Sequence, residues 1–422
     1  MDENTPYYDD NLDLVRRTQL RYQKDFRIIH IKGMGMKRVW FLLVFIYPCL
    51  LLSSKQEQTQ PPKWEGHIKL DTGIRVITNS GSPLYGEIKL ELKEELSIGR
   101  EDDTRYLFYR IRGIAVDNMG NIFVDDMSNY RIQKFDQRGI YLQTTGRHGQ
   151  GPSDFQLPSL ARVEESTGNI FVKDYATNIV IFNQRGEHLK TLHFKNTVED
   201  IIPNDDGTLL AVLWFGGEKI KHALCKINAI GEISNIFVEF AYPIYSETTG
   251  DRNILMTTGH EYALHIAEVD KNTIVYGYSK DYELSVIDKS GSPLFRVNKK
   301  EPIPKFTTEE KSKFDKLKKR IPLFEPPRDK PYFYGILTDS RGRIYVQRNQ
   351  ASETIQGYGP IDKEEKEVDV FNRQGYLLYR TKLPRNTYVI KNGYLYAHDL
   401  NEAEGLESVK RYKITNWEQL RY

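Results

Sequence analysis

The chain reads as all-β: a six-bladed β-propeller of four-stranded blades, with a helical insertion between blades 4 and 5. Three observations predict this. The phrase Gly120-Asn121-Ile122-Phe123-Val124 returns 48 residues later as Gly168-Asn169-Ile170-Phe171-Val172. A second phrase, Phe135-Asp136-Gln137-Arg138-Gly139, returns 47 residues later as Phe182-Asn183-Gln184-Arg185-Gly186. Degenerate copies of the first phrase then run down the chain, making six in all. A unit of this length with four strand-like runs cannot bury its own faces, so it stacks with its neighbours around an axis.

In blade 1, Ile114-Ala115-Val116 and Ile122-Phe123-Val124 are apolar at every position, as inner strands sandwiched between blades must be. The outer run Arg131-Ile132-Gln133-Lys134-Phe135 alternates instead. The turns Asp117-Asn118-Met119-Gly120 and Asp136-Gln137-Arg138-Gly139 open on Asp and close on Gly, which suits tight hairpins. Both turns fall on one face of the disc, and the loops at 125–130 and 146–158 fall on the other. Later copies of the first phrase begin at Gly207, Asn272, Gly342 and Gly393, and the turn phrase recurs up to Gly231, Gly291 and Gly375. The last blade is one strand short after Ile414. Glu87-Ile88-Lys89-Leu90-Glu91-Leu92 alternates like a strand, so this N-terminal run is expected to complete blade 6 and remove the open edges.

Extra length between copies falls at 242–261, 298–333 and 347–366, all assigned to the loop-rich face, where binding usually lives. The insertion at 299–333 carries a helix. Thr307 and Glu310 form a capping box, Phe314, Leu317 and Ile321 recur at helical spacing, and Pro322 ends it. The apolar stripe is expected to pack on the rim of blades 4 and 5, with the insertion lying over the channel mouth as a partial lid. Lys311, Lys313, Lys316, Lys318, Lys319 and Arg320 occupy the other faces; a solvated surface and a contact with an anionic ligand or membrane both account for that charge.

Ahead of the repeats, Lys37-Arg38 precede an apolar run at 39–52, then Ser53-Ser54, in the order of a signal peptide. The run has 14 residues, short of the ~20 that span a bilayer as a helix. The domain reading is therefore an extension at 1–35 that does not belong before a signal, with Met34 or Met36 as the natural start; a signal peptide at 36–54; a linker at 55–65; and the propeller at 66–422. Two cysteines cannot make a disulfide framework. Cys225 reads as a small buried apolar residue. Residues 1–54 hold 8 Lys or Arg and 6 Asp or Glu of the chain's 60 and 58, so the remainder is neutral. A neutral body argues against a nucleic-acid partner. With 27 Tyr and 19 Phe the chain is rich in aromatics, which β-blades use for packing.

The run from Gly113-Ile114-Ala115-Val116-Asp117 through Asn129-Tyr130-Arg131-Ile132-Gln133-Lys134-Phe135-Asp136 to the connector Gly146-Arg147-His148-Gly149-Gln150-Gly151-Pro152 resembles NHL-type propeller repeats. From about Trp64 the chain is similar to the six-bladed β-propeller lipoproteins of Bacteroidetes, most of which have no assigned activity. The resemblance implies an exported protein of the periplasm, outer membrane or cell surface, with Cys49 as the lipid-accepting residue. Tyr47-Pro48 before Cys49 and Leu50-Leu51-Leu52 after it depart from the usual pattern. Cleavage near Ser53 or Ser54 without lipid is the other reading. Membrane association is expected only through such an anchor.

Candidate ligand contacts are Arg147 and His148 in the Gly-rich connector, the pair Trp214 and Phe215, and the strand-end carboxylates Asp125 and Asp174. Trp214 and Phe215 can stack on a sugar ring or cap the end of a blade. His260 and His265 are five apart, which sets them on opposite faces of a strand. Some six-bladed relatives in the broad architectural sense hold a channel metal and hydrolyse lactones or cleave C–N bonds. Here Asp125, Asp126 and Asp174 stand against Val212, Val346 and Ala397 at the matching places, which breaks such a ring. The function expected is a non-catalytic propeller of the bacterial envelope that binds a glycan or a protein. The alternative is a metal-dependent hydrolase or lyase acting at the central channel. No catalytic residue and no cofactor is assigned, and a channel Ca or Zn ion is the one group the architecture leaves room for.

Overall fold

A computed structural model describes residues 63–216, 220–241, 245–249, 252–256, 262–320, 326–349, 365–384 and 386–420. Three strands precede the first repeat: β1 (Gly66–Asp71), β2 (Ile74–Asn79) and β3 (Leu92–Ile98). Blade 1 is β4 (Ile111–Val116), β5 (Ile122–Asp126), β6 (Arg131–Phe135) and β7 (Tyr141–Thr145), and blade 2 is β8 (Pro158–Val163), β9 (Ile170–Asp174), β10 (Asn178–Phe182) and β11 (His188–His193). Blade 3 is β12 (Thr197–Pro203), β13 (Leu209–Phe215), β14 (Lys221–Ile227) and β15 (Ile233–Ala241). A hairpin, β16 (Tyr245–Thr249) and β17 (Arg252–Met256), separates it from blade 4, which is β18 (Leu264–Asp270), β19 (Thr273–Tyr278), β20 (Glu283–Asp288) and β21 (Pro293–Lys299). Helix α1 (Thr308–Arg320) leads to blade 5, β22 (Phe333–Thr338), β23 (Ile344–Arg348), β24 (Lys366–Phe371) and β25 (Leu377–Leu383). Blade 6 is β26 (Thr387–Lys391), β27 (Tyr394–Asn401), β28 (Leu406–Ile414) and β3. Counted from this composite blade instead, α1 falls between the fifth and sixth.

The repeated phrases are explained by the turns. In the turn between the two outer strands of blades 1 to 5, the Oδ1 atoms of Asp136, Asn183, Asn228, Asp288 and Asn372 each accept the amides two and four residues on. The glycine three residues on sits at a φ between 76° and 98°, where a side chain is strained. Hydrophobic packing follows the ring. Six clusters each bridge two adjacent blades; Phe123 and Val172, for example, meet between blades 1 and 2, and Phe171 and Ile201 between blades 2 and 3. An inner strand therefore buries both faces, which is why those runs lack polar alternation.

Ring closure is as expected, but one strand further along. β3 pairs antiparallel with β28, from Ile98 opposite Val409 to Leu92 opposite Ile414. The run at 84–88 instead lies along blade 5, where the Leu84 and Tyr85 amides donate to Leu377 and Leu378 and the Ile88 amide to Arg380. Still earlier, β2 adds parallel to β21, and β1 pairs with β2, giving blade 4 six strands. The N-terminal segment is thus a strap over the outer edges of blades 4, 5 and 6. Its corner is Asn79, 1 % exposed. The Asn79 Oδ1 accepts from the Trp64 Nε1 and the Leu377 amide, both at 2.9 Å, and its Nδ2 donates to the Gly375 carbonyl at 2.9 Å. Trp64 also packs edge-on against Tyr376, so at least this residue of the segment read as a linker belongs to the propeller.

The capping box of α1 is present: the Glu310 amide donates to the Thr307 hydroxyl at 3.2 Å and the Thr307 amide to the Glu310 carboxylate at 2.7 Å. The apolar stripe finds a different partner from the one expected. Phe314 and Leu317 pack on Phe306 of the same insertion, with the two Phe rings edge to face at 5.0 Å. A buried Lys330–Glu310 ion pair at 2.6 Å closes that small core. The insertion therefore supplies its own packing surface instead of borrowing the rim of blades 4 and 5. Ile321 and Pro322 lie outside the described residues, as do the signal peptide, Cys49, His260, half of the insertion at 242–261 and most of that at 347–366. Among the described residues, no helix is long and apolar enough to cross a membrane.

Candidate functional site: the central channel

The six innermost strands wall a channel, and its end on the tight-turn face is a cavity of about 510 Å³. An apolar belt of Ile114, Ile202, Ile266, Ile336 and Val389 lines its interior. Charged residues ring its rim in pairs. Arg162 meets Asp200 at 2.9 Å, Lys289 meets Glu268 at 2.5 Å, and Arg373 meets Asp270 at 3.6 Å. Lys391 of blade 6 reaches past blade 1 to Glu165 of blade 2 at 2.8 Å, donating on the way to the Val116 carbonyl at 3.1 Å. None of the residues lining this cavity comes from α1. The cavity is on the face opposite the long loops, and the insertion does not cover it.

Above the cavity, five of the six innermost strands are bulged near their starts, at Arg112, Leu160, Glu199, Tyr334 and Tyr388. A bulge re-aims a side chain that alternation would send the other way. In β12 it lets consecutive carboxylates diverge. Glu199 accepts the Trp214 Nε1 at 2.8 Å and approaches the His222 Nδ1 at 3.5 Å, while Asp200 takes Arg162. Burial pushes the Glu199 pKa up to about 7. Burial also holds His222 and His265 down at about 4, so both imidazoles are neutral at pH 7.

The strand register corrects the matching of blades. Asp125 lies one position before Asp126, and Lys173 one before Asp174, so Lys173 and not Asp174 corresponds to Asp125. Continuing round, the position holds Val212, Gly277, Gln347 and His398, where Val346 and Ala397 had been matched. Asp126 and Asp174 share a structural task instead. Asp126 accepts the Tyr109 amide, Asn129 and Arg131, each at 2.8 Å, and Asp174 accepts the Gln156 and Leu157 amides at 2.9 and 2.7 Å. Both carboxylates pin the chain entering an innermost strand. Asp125 is fully buried at the seam of blades 1 and 2.

The remaining candidates lie apart from the cavity. Arg147 is 80 % exposed and pairs with Asp154 at 2.9 Å. His148 packs against Tyr130 with ring centroids 4.2 Å apart and the planes tilted by 40°. Trp214 stacks on His222 at 4.9 Å, and Phe215 packs against the core between blades 2 and 3. Among the described residues, no three His, Cys, Asp or Glu side chains converge to hold a metal ion.

Asp125 and His222 give pH dependences of opposite sign. Burial, helped by Asp126, raises the Asp125 pKa to about 7, whereas an unfolded Asp ionises near ~4. Its contribution to stability is complete below the unfolded value and is lost as the pH rises to 7. For His222, lowered to about 4 by burial and then by His265, the contribution is present above the unfolded value of ~6.5 and is lost as the pH falls. Between these limits the two cancel in the wild type. Asp125→Asn removes one arm, so relative to wild type it should gain up to about 4 kcal/mol between pH 4 and 7.5 in urea unfolding. A difference independent of pH would mean that Asp125 ionises as in the unfolded chain.

Comparison with known proteins agrees with this architecture. Residues 101–287 match the model of the family DUF5128, described as a 6-bladed beta-propeller. Two solved structures from Bacteroides are similar. One, a candidate exported protein of Bacteroides fragilis, is 13 % identical with a TM-score of 0.50, over 81 % of this chain and 99 % of that one. The other, a duf4221 family member of Bacteroides vulgatus, is 16 % identical with a TM-score of 0.52, over 77 % and 98 %. At these identities the likeness is one of fold. A stretch of 80 residues, 18 % of the chain, is 32 % identical to the protein brain tumor of Drosophila melanogaster, and spans 8 % of that protein. Fold and channel together define a six-bladed β-propeller.

Proposed function

We propose that this protein is a non-catalytic binding propeller of the bacterial envelope whose ligand, a neutral glycan end, enters the channel cavity from the tight-turn face. The observation that carries this reading is the cavity itself. Its belt of Ile and Val suits the CH faces of a sugar, and its rim offers donors and acceptors whose charges, Lys271 apart, are balanced in pairs. A hydroxylated, uncharged ligand can join such pairs without leaving an ion unpaired, whereas a charged one would displace a partner. The envelope setting rests on the charged, apolar and small-residue order at 36–54 and on the description of the Bacteroides fragilis protein as a candidate for export.

The enzyme alternative draws support from Glu199 and Asp200, two adjacent carboxylates in different environments. The two readings separate in one experiment. A glycan array is probed with wild type, with Ile266→Trp, which fills the cavity, and with Trp214→Ala. Binding lost in Ile266→Trp and kept in Trp214→Ala is expected. The reverse pattern would move the site to the loop-rich face, and turnover of a bound glycan would favour the enzyme.

A further inference from the structure

The N-terminal hairpin leaves a sheet edge open. β1 is the outermost of the six strands of blade 4, and among the described residues it pairs with β2 alone. Its turn, Thr72-Gly73 at φ values of 51° and 84°, is the tight two-residue kind and sets Asp71 opposite Ile74. At the other end the Glu65 carbonyl accepts the Ser80 amide at 2.8 Å. Bonded and non-bonded residues alternate along an antiparallel pair, so Glu65, His67, Lys69 and Asp71 turn their backbone groups toward β2. Gly66, Ile68 and Leu70 turn theirs outward. Side chains alternate as well, with His67, Lys69 and Asp71 on one face of the sheet and Ile68 and Leu70 on the other. Residues 66–70 are all exposed, Ile68 to 44 % and Leu70 to 74 %. A bare edge that carries two exposed apolar side chains is a template for another strand.

We propose that this edge is a self-pairing surface, on which β1 of a second copy of the chain adds antiparallel and joins two six-stranded blades into one sheet. The strand's own complementarity names the occupant. With the two-fold axis at Lys69, Ile68 of each copy lies opposite Leu70 of the other. The outward amides and carbonyls of both residues then meet in bonded pairs, and the exposed apolar side chains cover one another. On the opposite face the same register sets His67 against the Asp71 carboxylate twice, and Arg296 of β21 already holds Asp71 on that face. Centring the pair on Ile68 would instead set Glu65 against Asp71, two carboxylates. The two Lys69 side chains meet at the axis, each diagonal to an Asp71 of the other copy. One pair of six-residue strands buries less than the ~1,200 Å² of a stable interface, so the dimer is weak and reversible. Its residues are distinct from those lining the channel cavity, and the proposal is independent of what that cavity binds.

Single cysteines trap so weak a dimer. Residues directly opposite in a non-hydrogen-bonded pair have Cα atoms about 4.5 Å apart, within the reach of a disulfide. Lys69 stands at that position on the axis, whereas His67 faces position 71 of the other copy. Lys69→Cys in the full chain should therefore oxidise to a disulfide joining position 69 to position 69, about tenfold faster than His67→Cys forms its own. Non-reducing electrophoresis with peptide mapping reads the bond, and wild type supplies the background from Cys49 and Cys225. Adding Ile68→Lys and Leu70→Lys to Lys69→Cys should slow the crosslink to the His67→Cys rate and leave the melting curve in place, because both side chains are exposed. Equal rates at positions 67 and 69 overturn the proposal, since random collision of exposed cysteines gives that result. Both positions lie on the same exposed strand, so a loss of fold cannot produce the expected difference.

Discussion

A chain lacking residues 63–98 will fail to form a closed ring and will show no cooperative thermal transition. The deletion removes the last strand of blade 6, the 84–88 run that covers blade 5, and the two strands that extend blade 4. Three outer edges open together, each a row of unpaired amides and carbonyls. The milder substitution Asn79→Leu tests the strap without deleting it. It leaves the Leu377 amide and the Gly375 carbonyl without their side-chain partner in a buried corner, at a cost of about 2–4 kcal/mol. Circular dichroism melts decide both. A truncated protein that melts like the full one would mean that the strap is only a tail.

Asp339→Ala should destabilise the protein by about 3–5 kcal/mol, because it strands a buried cation. The Asp339 and Arg343 side chains are both fully buried, with the guanidinium Nε 2.6 Å from the carboxylate. The same carboxylate accepts the Tyr345 hydroxyl at 2.8 Å, and Arg343 stacks over Trp417 at 4.3 Å between blades 5 and 6. Truncating the acid takes this carboxylate away from the buried Arg343 guanidinium. The double variant Asp339→Ala with Arg343→Met removes the charge and should recover a good part of the loss. Urea unfolding of the two variants measures this directly; equal losses would show that the pair carries no special penalty.

The ring was legible because its signals are local. Doubled phrases such as Gly120-Asn121-Ile122 and Phe135-Asp136 encode turns, and a turn needs only its own residues to form. The capping box at Thr307 and Glu310 was legible for the same reason. Partner choice was harder to read. The run at 87–92 alternates like a strand, but its period is equally compatible with the edge of blade 5 and with blade 6, so the closing strand was placed one element too early. The stripe of α1 had to be buried, yet only three dimensions show that Phe306 buries it. The channel was least legible. A bulge shifts every side chain by one position, and the divergence of Glu199 toward Trp214 and of Asp200 toward Arg162 owes itself to a bulge and a cross-blade contact that no single segment records.

The placement of the ligand site is tested most directly by hydrogen exchange, read by mass spectrometry, with and without the ligand that the array selects. Protection is expected at the tight-turn ends of the innermost strands, at residues 116–118, 163–165, 200–203, 268–271, 338–340 and 390–392 together, because one ligand in the cavity touches all six blades. Protection confined to residues 147–157 and 214–216, with the tight-turn ends unchanged, would contradict it.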